Sequence, residues 1–528
     1  MTKAQKSLVK GISVLGLAGL ICKVVGVLYK IPLASAIGPE GMAAYHQVFP
    51  TYNLMLTISS AGIPVAISRM VSGFLVKDDR RSAHATYRVA LLLLGVVGAL
   101  GTALMMLLSP ALARASGNPE AQWGFLMIAP SLFLVCVMSA FRGFMQGRRR
   151  MVPTAISQLI EQVGKVAVAL PLAWAGTARG GFAMGAAGAL LGTSIAEAVA
   201  LIYMMIDKRI HQPAFDALPQ AALPAANRRK LARELTLISI PITIGACIVP
   251  LAGAVDSFML VNLMSDYLPI TQARISFGVY TGLVLTLINV PTALAMATAT
   301  NLVPAINAAY ERGNYAAVAH DADAGLRVAS VIGFPSAIGM SLLAEPILFL
   351  LFGRSGKYTP QDLRMGAQLL QISSLTIILF THVQATSGIL QGLHRQRIPM
   401  ITLAIGVALK VMVNYTLVRL PQVGISGAPY ASLICYGVSL APNLWYVAKY
   451  GRMRIRWDEV LLRPGAATLL MALPVLGLRA MFGQRLNHSW LALGIVVLVA
   501  VAAFAVSALA VGAVKKSDLP GFLRRRMK

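Results

Sequence analysis

The residues most able to do chemistry in this 528-residue sequence are ionisable side chains inside long apolar segments. Lys23 and Lys30 are seven residues apart in one such segment, so on a helix they share a face about two turns apart. With Arg274 they would form a cationic wall suited to phosphate, which ammonium and guanidinium groups bind well. Two alternatives stay open: Lys30 could extend to the outer membrane interface, and Arg69 could be a cytoplasmic anchor.

Acidic residues in the same segments offer ion pairing as an alternative explanation. Glu161 and Lys165 are four residues apart with the acid first, the favourable order for a pair on one helix. Lys23 could likewise pair with Asp256 or Glu197 instead of lining a cavity. We therefore treat these acids, together with Lys165 and Lys410, as candidates for structural ion pairs or for coupling to an ion.

Sites for metals, nucleotides or disulfides are not predicted. His46, His382 and His394 are scattered, and the four cysteines lie in apolar stretches without metal-ligand spacing. Residues 353–357 lack the P-loop pattern and a preceding strand. We expect no cofactor and no bound metal.

The composition identifies the elements that must position these charges. Hydrophobic residues make up 57% of the chain and charged residues only 12%, with a mean hydropathy of +0.71. Soluble domains carry about 25% charged residues, so this is an integral membrane protein, and it is all-α because lipid-exposed backbone must satisfy its own hydrogen bonds. Soluble enzymes, DNA-binding proteins and secreted disulfide scaffolds are excluded. The net charge of +27 therefore indicates topology signals and anionic lipid headgroups as partners, with no nucleic acid.

Apolar stretches long enough to span a membrane run from one end of the chain to the other. Hydropathy and turn signals predict fourteen transmembrane helices. They are residues 11–37, 45–74, 84–109, 122–145, 154–175, 184–206, 235–263, 273–302, 325–352, 366–391, 398–420, 426–448, 463–482 and 490–514.

The distribution of basic residues between the predicted loops sets the orientation. With an even number of spans both termini share one side, and that side carries 28 Lys and Arg residues against eight on the other. The positive-inside rule then predicts cytoplasmic termini and a location in the plasma membrane. Arg354, Lys357 and Arg364 are a local exception to the bias.

A duplicated motif organises the chain. A Gly-x-x-Gln-Gly pattern followed by basic residues and a lysine-containing span occurs twice, 245 residues apart. The matched residues are Gly143, Gln146, Gly147 and Lys165 in the first copy and Gly388, Gln391, Gly392 and Lys410 in the second. Residues 185–189 and 424–428 form a second matched pair. Six spans separate the copies, which predicts two parallel six-helix lobes of the kind found in alternating-access transporters.

The repeat sets the predicted domain boundaries. Residues 1–233 would form an N-terminal lobe with a cytoplasmic linker, and residues 234–450 a C-terminal lobe. Residues 451–528 would supply two additional helices and a basic cytoplasmic tail.

Three stretches resemble a known family of exporters. Residues 141–147 (FRGFMQG), 151–162 (MVPTAISQLIEQ) and 61–69 (AGIPVAISR) look like the polysaccharide-type exporters of the multidrug/oligosaccharidyl-lipid/polysaccharide superfamily. They are most similar to the SpoVB/YtgP branch, which is related to the lipid II flippase MurJ. The resemblance implies a MATE/MurJ-like fold and the flipping of an undecaprenyl-linked saccharide. In MurJ-type proteins the functional cations lie in spans one, two and eight, as do Lys23, Lys30, Arg69 and Arg274 here.

The leading function is therefore an alternating-access flippase for a lipid-linked saccharide of the undecaprenyl-diphosphate type, and not an enzyme. A MATE-like cation or drug antiporter is the alternative, and a membrane-embedded enzyme acting on a lipid-linked sugar is a weaker one. The expected partners are the lipid-linked substrate and anionic membrane lipids, with envelope-synthesis enzymes as further candidates. We expect a monomer.

Overall fold

The computed structural model describes residues 3–216 and 227–514, which form α-helices joined by short turns and contain no β-strand. The first eight helices are α1 (Lys3–Ser60), α2 (Ile63–Val76), α3 (Arg80–Ala115), α4 (Ala121–Gly147), α5 (Val152–Gly164), α6 (Leu170–Asp216), α7 (Arg228–Ser265) and α8 (Ile270–Gly278). The others are α9 (Leu285–Glu311), α10 (Tyr315–Leu342), α11 (Ala344–Phe352), α12 (Pro360–Gly392), α13 (Arg397–Leu417), α14 (Gly427–Gly451), α15 (Arg463–Phe482) and α16 (Trp490–Ala510). The helices form two compact units, Met1–Gly278 and Val279–Lys528.

The described helices include twelve stretches long and apolar enough to cross a membrane. Ile21–Val76 contains the predicted span 45–74 and most of the span 11–37, and Val152–Pro213 contains both 154–175 and 184–206. The prediction of an all-α multi-pass membrane protein is confirmed. The count of fourteen spans stays a prediction.

Glycines break the two longest helices. Within α1, Gly38 has a φ of 67°, and within α6, Gly181 has a φ of 75°. Side chains with a Cβ rarely adopt this left-handed region, so glycine is needed where the chain leaves the helical path. The breaks fall between the predicted spans 11–37 and 45–74 and between 154–175 and 184–206.

Large apolar side chains are exposed along the outside of both units. On α3, Leu92, Leu100 and Leu107 are 68%, 65% and 78% exposed, whereas Leu94 is buried. Exposed leucine on this scale is costly in water and favourable in lipid. The surface of α3 is therefore that of a membrane-spanning helix.

The end of α4 in the first unit and the end of α12 in the second have the same backbone geometry. The second residue after each helix, Arg149 and His394, has a left-handed φ of 60° and 59°. The amides of these residues donate to the carbonyls of Gln146 and Gln391, respectively. Both pairs are 245 residues apart, which is the offset of the sequence motif.

A second turn also occurs in both units. Before α3, Asp78 has a left-handed φ, and the Asp79 side chain accepts a hydrogen bond from the backbone amide three residues later. Before α10, Gly313 has a left-handed φ, and the Asn314 side chain accepts a hydrogen bond in the same way. These pairs are 235 residues apart. Each of the two turns therefore occurs once in each unit, and its matching residues are separated by a constant number of residues in the sequence.

The motif glycines explain why the pattern recurs. A Cβ on Gly147 would lie 2.7 Å from the Cβ of Val71 on α2, and one on Gly392 would lie 2.7 Å from the Cβ of Ile306 on α9. Val71 and Ile306 are again 235 residues apart. In each unit the glycine therefore allows the same close helix crossing, which supports the predicted duplication. Superposition of the halves about the membrane normal stays a prediction.

Replacing Gly147 or Gly392 by alanine should destabilise the protein by about 1–3 kcal/mol, because the added methyl group overpacks a helix crossing. Thermal unfolding of the purified protein in detergent measures the effect. Gly73→Ala and Gly437→Ala are matched controls, since a Cβ at either position meets nothing within 4 Å. Equal stability of Gly147→Ala and Gly73→Ala would contradict the packing argument.

In the second unit, a network of alternating charges connects α10 to the π-helical turn that precedes α15 (Asp458–Leu462). Arg327 lies 2.8 Å from the carboxylate of Glu459, and Arg456 lies 3.2 Å from its other oxygen. Arg456 also contacts Asp323 at 3.4 Å. The Arg327 and Glu459 side chains are only 7% and 10% exposed, so this ion pair is buried.

Some predicted features lie outside the described residues. These are residues 217–226 of the linker and the basic tail from Lys515 to Lys528. Most of the rest of the segment between the predicted spans 184–206 and 235–263 is helical, because α6 continues to Asp216 and α7 begins at Arg228.

Candidate functional site

The centre of the candidate site is a group of charges inside the first unit. We call it the α1–α6 polar cluster and define it as Lys30, Arg142, Glu161, Lys165 and Glu197. These residues come from α1, α4, α5, the π-helical turn that follows α5 (Lys165–Ala169), and α6. All lie in predicted membrane spans, where each charge carries an insertion cost of about 2.5–3.5 kcal/mol.

Glu197 is the most buried acid of the cluster, with 5% exposure. The hydroxyl of Tyr52 on α1 donates to its carboxylate at 3.2 Å. Lys165 attracts the same carboxylate electrostatically. Glu197 is therefore held by a neutral donor and a nearby cation.

Glu161 is paired across helices and not along its own helix. Its carboxylate lies 3.0 Å from the Arg142 guanidinium, whose Nε also donates to the Ser157 hydroxyl at 3.0 Å. Arg142 thus makes two contacts with α5. In the structure Glu161 pairs with Arg142 on α4 and not with Lys165, which begins a π-helical turn.

Lys30 and Lys165 are neighbouring positive charges. They repel each other electrostatically, and among the described residues neither has a carboxylate within 4 Å. Both side chains are partly exposed. Two such cations inside a membrane protein are stabilised by water or by an anionic ligand.

Lys23 extends this group along α1. Its side chain is exposed, two turns before Lys30 on the same helix face. Between them Gly26 packs tightly on α5, since a Cβ there would lie 2.9 Å from Oε1 of Gln162. The packing holds this part of α1 against the helix that carries Glu161.

Arg274 has a different environment from the lysines. Its Nε and Nη2 both donate to the carbonyl oxygen of Gly117, at 3.0 and 2.7 Å. Gly117 lies in the turn between α3 and α4, where Gln47 and Asn262 hold the two preceding carbonyls. Arg274 is therefore anchored to a loop of its own unit and is not part of the α1–α6 polar cluster.

Comparison with known proteins places the chain in a family. The sequence profile described as polysaccharide biosynthesis protein matches residues 8–309. The chain belongs to this family. A second profile, MatE, matches residues 241–416.

Curated relatives of this family member cover most of the chain. The lipid II flippase MurJ of Bacillus subtilis is 26% identical over 451 residues, 83% of this chain and 81% of that protein. Stage V sporulation protein B of the same organism is 24% identical over 437 residues, 81% of each. The resemblance drawn from the three sequence stretches is confirmed.

Solved structures share the fold. Lipid II flippase MurJ in an inward closed conformation matches with a TM-score of 0.68 and 14% identity, over 94% of this chain and 97% of that one. An inward-facing multidrug resistance MATE family transporter of the MOP superfamily matches with 0.66 and 15%, over 83% and 99%. The chain therefore shares the fold of these MurJ and MATE structures.

The remaining candidates are not members of the α1–α6 polar cluster. Arg69 is exposed on α2 and has no side-chain hydrogen bond or ion pair to the cluster. Asp256 is half-buried on α7 of the first unit, and Lys410 is half-buried on α13 of the second. No group of three or more His, Cys, Asp or Glu residues that could hold a metal occurs in the ranges the structure describes.

Sequence reasoning did not select Arg142, although it had a usable signal. Arg142 lies inside the predicted span 122–145 and directly before the first motif glycine. It could have been listed as an intramembrane charge like the others. With Arg142 included, the four predicted spans 11–37, 122–145, 154–175 and 184–206 hold four cations against two acids: Lys23, Lys30, Arg142 and Lys165 against Glu161 and Glu197.

Proposed function

We propose that this protein is an alternating-access flippase that moves a lipid-linked saccharide of the undecaprenyl-diphosphate type from the inner to the outer leaflet. Relationship to a lipid II flippase over four-fifths of both chains is the observation that carries the proposal. The excess of cations in the first unit supports it, because a diphosphate headgroup is doubly anionic. The lipid tail would remain in the bilayer.

Lys23, Lys30 and Lys165 are the residues proposed to bind the headgroup. They combine partial exposure with intramembrane positions on α1 and the start of the π-helical turn. Lysine binds phosphate as a point charge, which tolerates a headgroup that moves during transport. Arg142 would act indirectly by holding Glu161 away from the lysines.

A cation or drug antiporter is the second candidate, since a MatE profile also matches. Such a transporter needs acidic side chains open to a cationic substrate. Here the carboxylate of Glu161 is bound by Arg142 and that of Glu197 by Tyr52. The relatives are named flippases or transporters, which favours transport over an enzymatic role.

The proposed orientation has both termini in the cytoplasm of a plasma-membrane protein. The proposed division keeps residues 1–233 and 234–450 as the two lobes and residues 451–528 as the additional helices with the tail. Anionic lipids would contact the basic cytoplasmic loops, and the protein would act as a monomer. With no nucleotide-binding motif in the sequence, a membrane potential or an ion gradient would drive transport.

Cysteines introduced at Gln5, Arg149 and Pro520 should resist an impermeant thiol reagent added to intact cells, because the basic-residue bias puts them inside. The experiment uses a background in which the four native cysteines are replaced. Lys357→Cys is the external control and tests the local exception to the bias. Strong labelling at Arg149→Cys with none at Lys357→Cys would invert the topology.

Lys23→Ala should abolish transport while leaving protein abundance intact, because an exposed intramembrane lysine contributes little to packing. Lys23→Arg should keep part of the activity, since the charge survives. Transport and membrane abundance are measured together. Reduced abundance of Lys23→Ala that is restored by adding Asp256→Asn would show that Lys23 is an ion-pair partner.

The function itself is tested in cells depleted of their own lipid II flippase. Expression of this chain should restore growth and the appearance of the lipid-linked precursor in the outer leaflet. Other lipid-linked saccharides are then offered to the purified protein in vesicles. A correctly inserted protein that flips none of them but exports cationic dyes would establish the antiporter instead.

A further inference from the structure

Several helix junctions of the first unit surround a cavity of about 340 Å³, which we call the junction cavity. It lies at the break in α1, the turn between α3 and α4 and the break in α6, and Arg274 of α8 completes its lining. None of these positions belongs to the α1–α6 polar cluster. The volume is at the lower end of the range of small-ligand sites.

One buried atom in the lining has no partner. Asn118 is only 3% exposed, and its Oδ1 has no hydrogen bond in the structure. The orientation of this amide follows from its neighbours: Gln47 Nε2 donates to the carbonyl of Ser116 at 2.8 Å, so Gln47 Oε1 must accept. It accepts from Asn118 Nδ2 at 2.9 Å, which leaves Asn118 Oδ1 as an unused acceptor.

An unpaired buried carbonyl oxygen costs free energy because it has lost its hydrogen bond to water. A ligand with a hydrogen-bond donor at this position would remove that cost. The two carboxylates of the lining, Glu40 and Glu120, are also acceptors and are exposed, and neither has an ion pair among the described residues. The guanidinium of Arg274 already uses two of its nitrogens on Gly117.

Trp123 gives the cavity an apolar wall. Its ring is 50% exposed in the first turn of α4, beside the acceptors of Glu120 and Asn118. A ligand suited to this lining has several hydroxyl or amide donors on its edge and an apolar face that can lie on the indole ring. A pyranose ring has both properties, whereas a metal ion would gain nothing from the indole.

We propose that the junction cavity is a saccharide-binding subsite, separate from the cationic cluster, with Asn118, Glu40 and Glu120 accepting from sugar hydroxyl or amide groups and Trp123 stacking on a ring. The inference rests on the proposed function in that the sugar would be the head of the transported lipid. The predicted topology puts these junctions on the outer side, where a flipped headgroup would arrive.

The test measures binding of soluble ligands to the full-length protein in detergent by isothermal titration calorimetry, which detects a sugar, a polyamine and a metal ion alike. The probes are N,N′-diacetylchitobiose, the uncharged N-acetylglucosamine disaccharide (called chitobiose below), the polyamine spermidine and calcium chloride. Chitobiose should bind, and Trp123→Ala and Glu120→Gln should each weaken it roughly tenfold. Trp174→Ala is the matched control, because Trp174 is 56% exposed but does not line the cavity.

These variants are chosen to leave the fold intact. Trp123 is half-exposed, and the Glu120 side chain makes no capping hydrogen bond to α4. Binding of spermidine or calcium without chitobiose would overturn the proposal in favour of a cation site, and so would chitobiose binding unaffected by Trp123→Ala. Rescue of flippase-depleted cells without any sugar binding would overturn the subsite alone, whereas sugar binding without rescue would overturn the flippase function alone.

Discussion

Replacing both Lys30 and Lys165 by alanine is expected to abolish transport without lowering the amount of protein in the membrane. The two ammonium groups repel each other and have no carboxylate within 4 Å among the described residues. Each charge is costly in a bilayer, so their removal relieves a folding cost. What is lost is the attraction for an anionic headgroup, worth about 1.5–3 kcal/mol for each charged contact.

The single variants Lys30→Ala and Lys165→Ala should therefore each reduce transport by roughly 10- to 100-fold. Lys77→Ala is a matched control, because Lys77 is exposed at the end of α2 and outside the cluster. The Lys30→Arg/Lys165→Arg variant keeps both charges and should retain measurable activity. Normal transport by the double alanine variant would remove the lysines from the headgroup site.

The helices and the intramembrane charges could be predicted because they depend on local features of the sequence. Long apolar runs indicate membrane spans, and the charged side chains of Lys23 and Lys30 are easily recognised inside such a run. The breaks at Gly38 and Gly181 depend on glycine at a left-handed position, which is also a local requirement. The repeat was visible for the same reason: turn geometry and close helix crossings constrain residue type at fixed positions.

Partners from distant parts of the chain could not be predicted. The order Glu161 then Lys165 indicated a pair on one helix, yet Arg142 reaches the carboxylate from α4. Likewise nothing near Arg274 in the sequence shows that its guanidinium binds a carbonyl 157 residues away. Such contacts depend on which helices are adjacent, and hydrophobic periodicity leaves this undetermined.

The buried pair Arg327–Glu459 illustrates the same limit in the second unit, and breaking it should have the largest effect on stability. Glu459→Ala removes the carboxylate that faces the buried Arg327 guanidinium, which costs about 3–5 kcal/mol. Arg327→Ala should cost less, because Glu459 keeps its contact with Arg456. We expect a lower midpoint of thermal unfolding for the protein in detergent. The exposed pair Arg463–Asp458 is the control: its side chains are 38% and 55% exposed, and Asp458→Ala should cost no more than about 1 kcal/mol.

Replacing both partners, as in Arg327→Met/Glu459→Leu, should recover most of the lost stability, because two apolar side chains need no compensation. Recovery would be incomplete, since Arg456 also contacts Glu459 and would keep only Asp323. The network fixes the π-helical turn before α15 to α10, and with it the start of the additional helices. A double variant that is stable but inactive would show that this attachment serves transport. A double variant no more stable than Glu459→Ala would show that an uncompensated buried charge is not the cause of the lost stability.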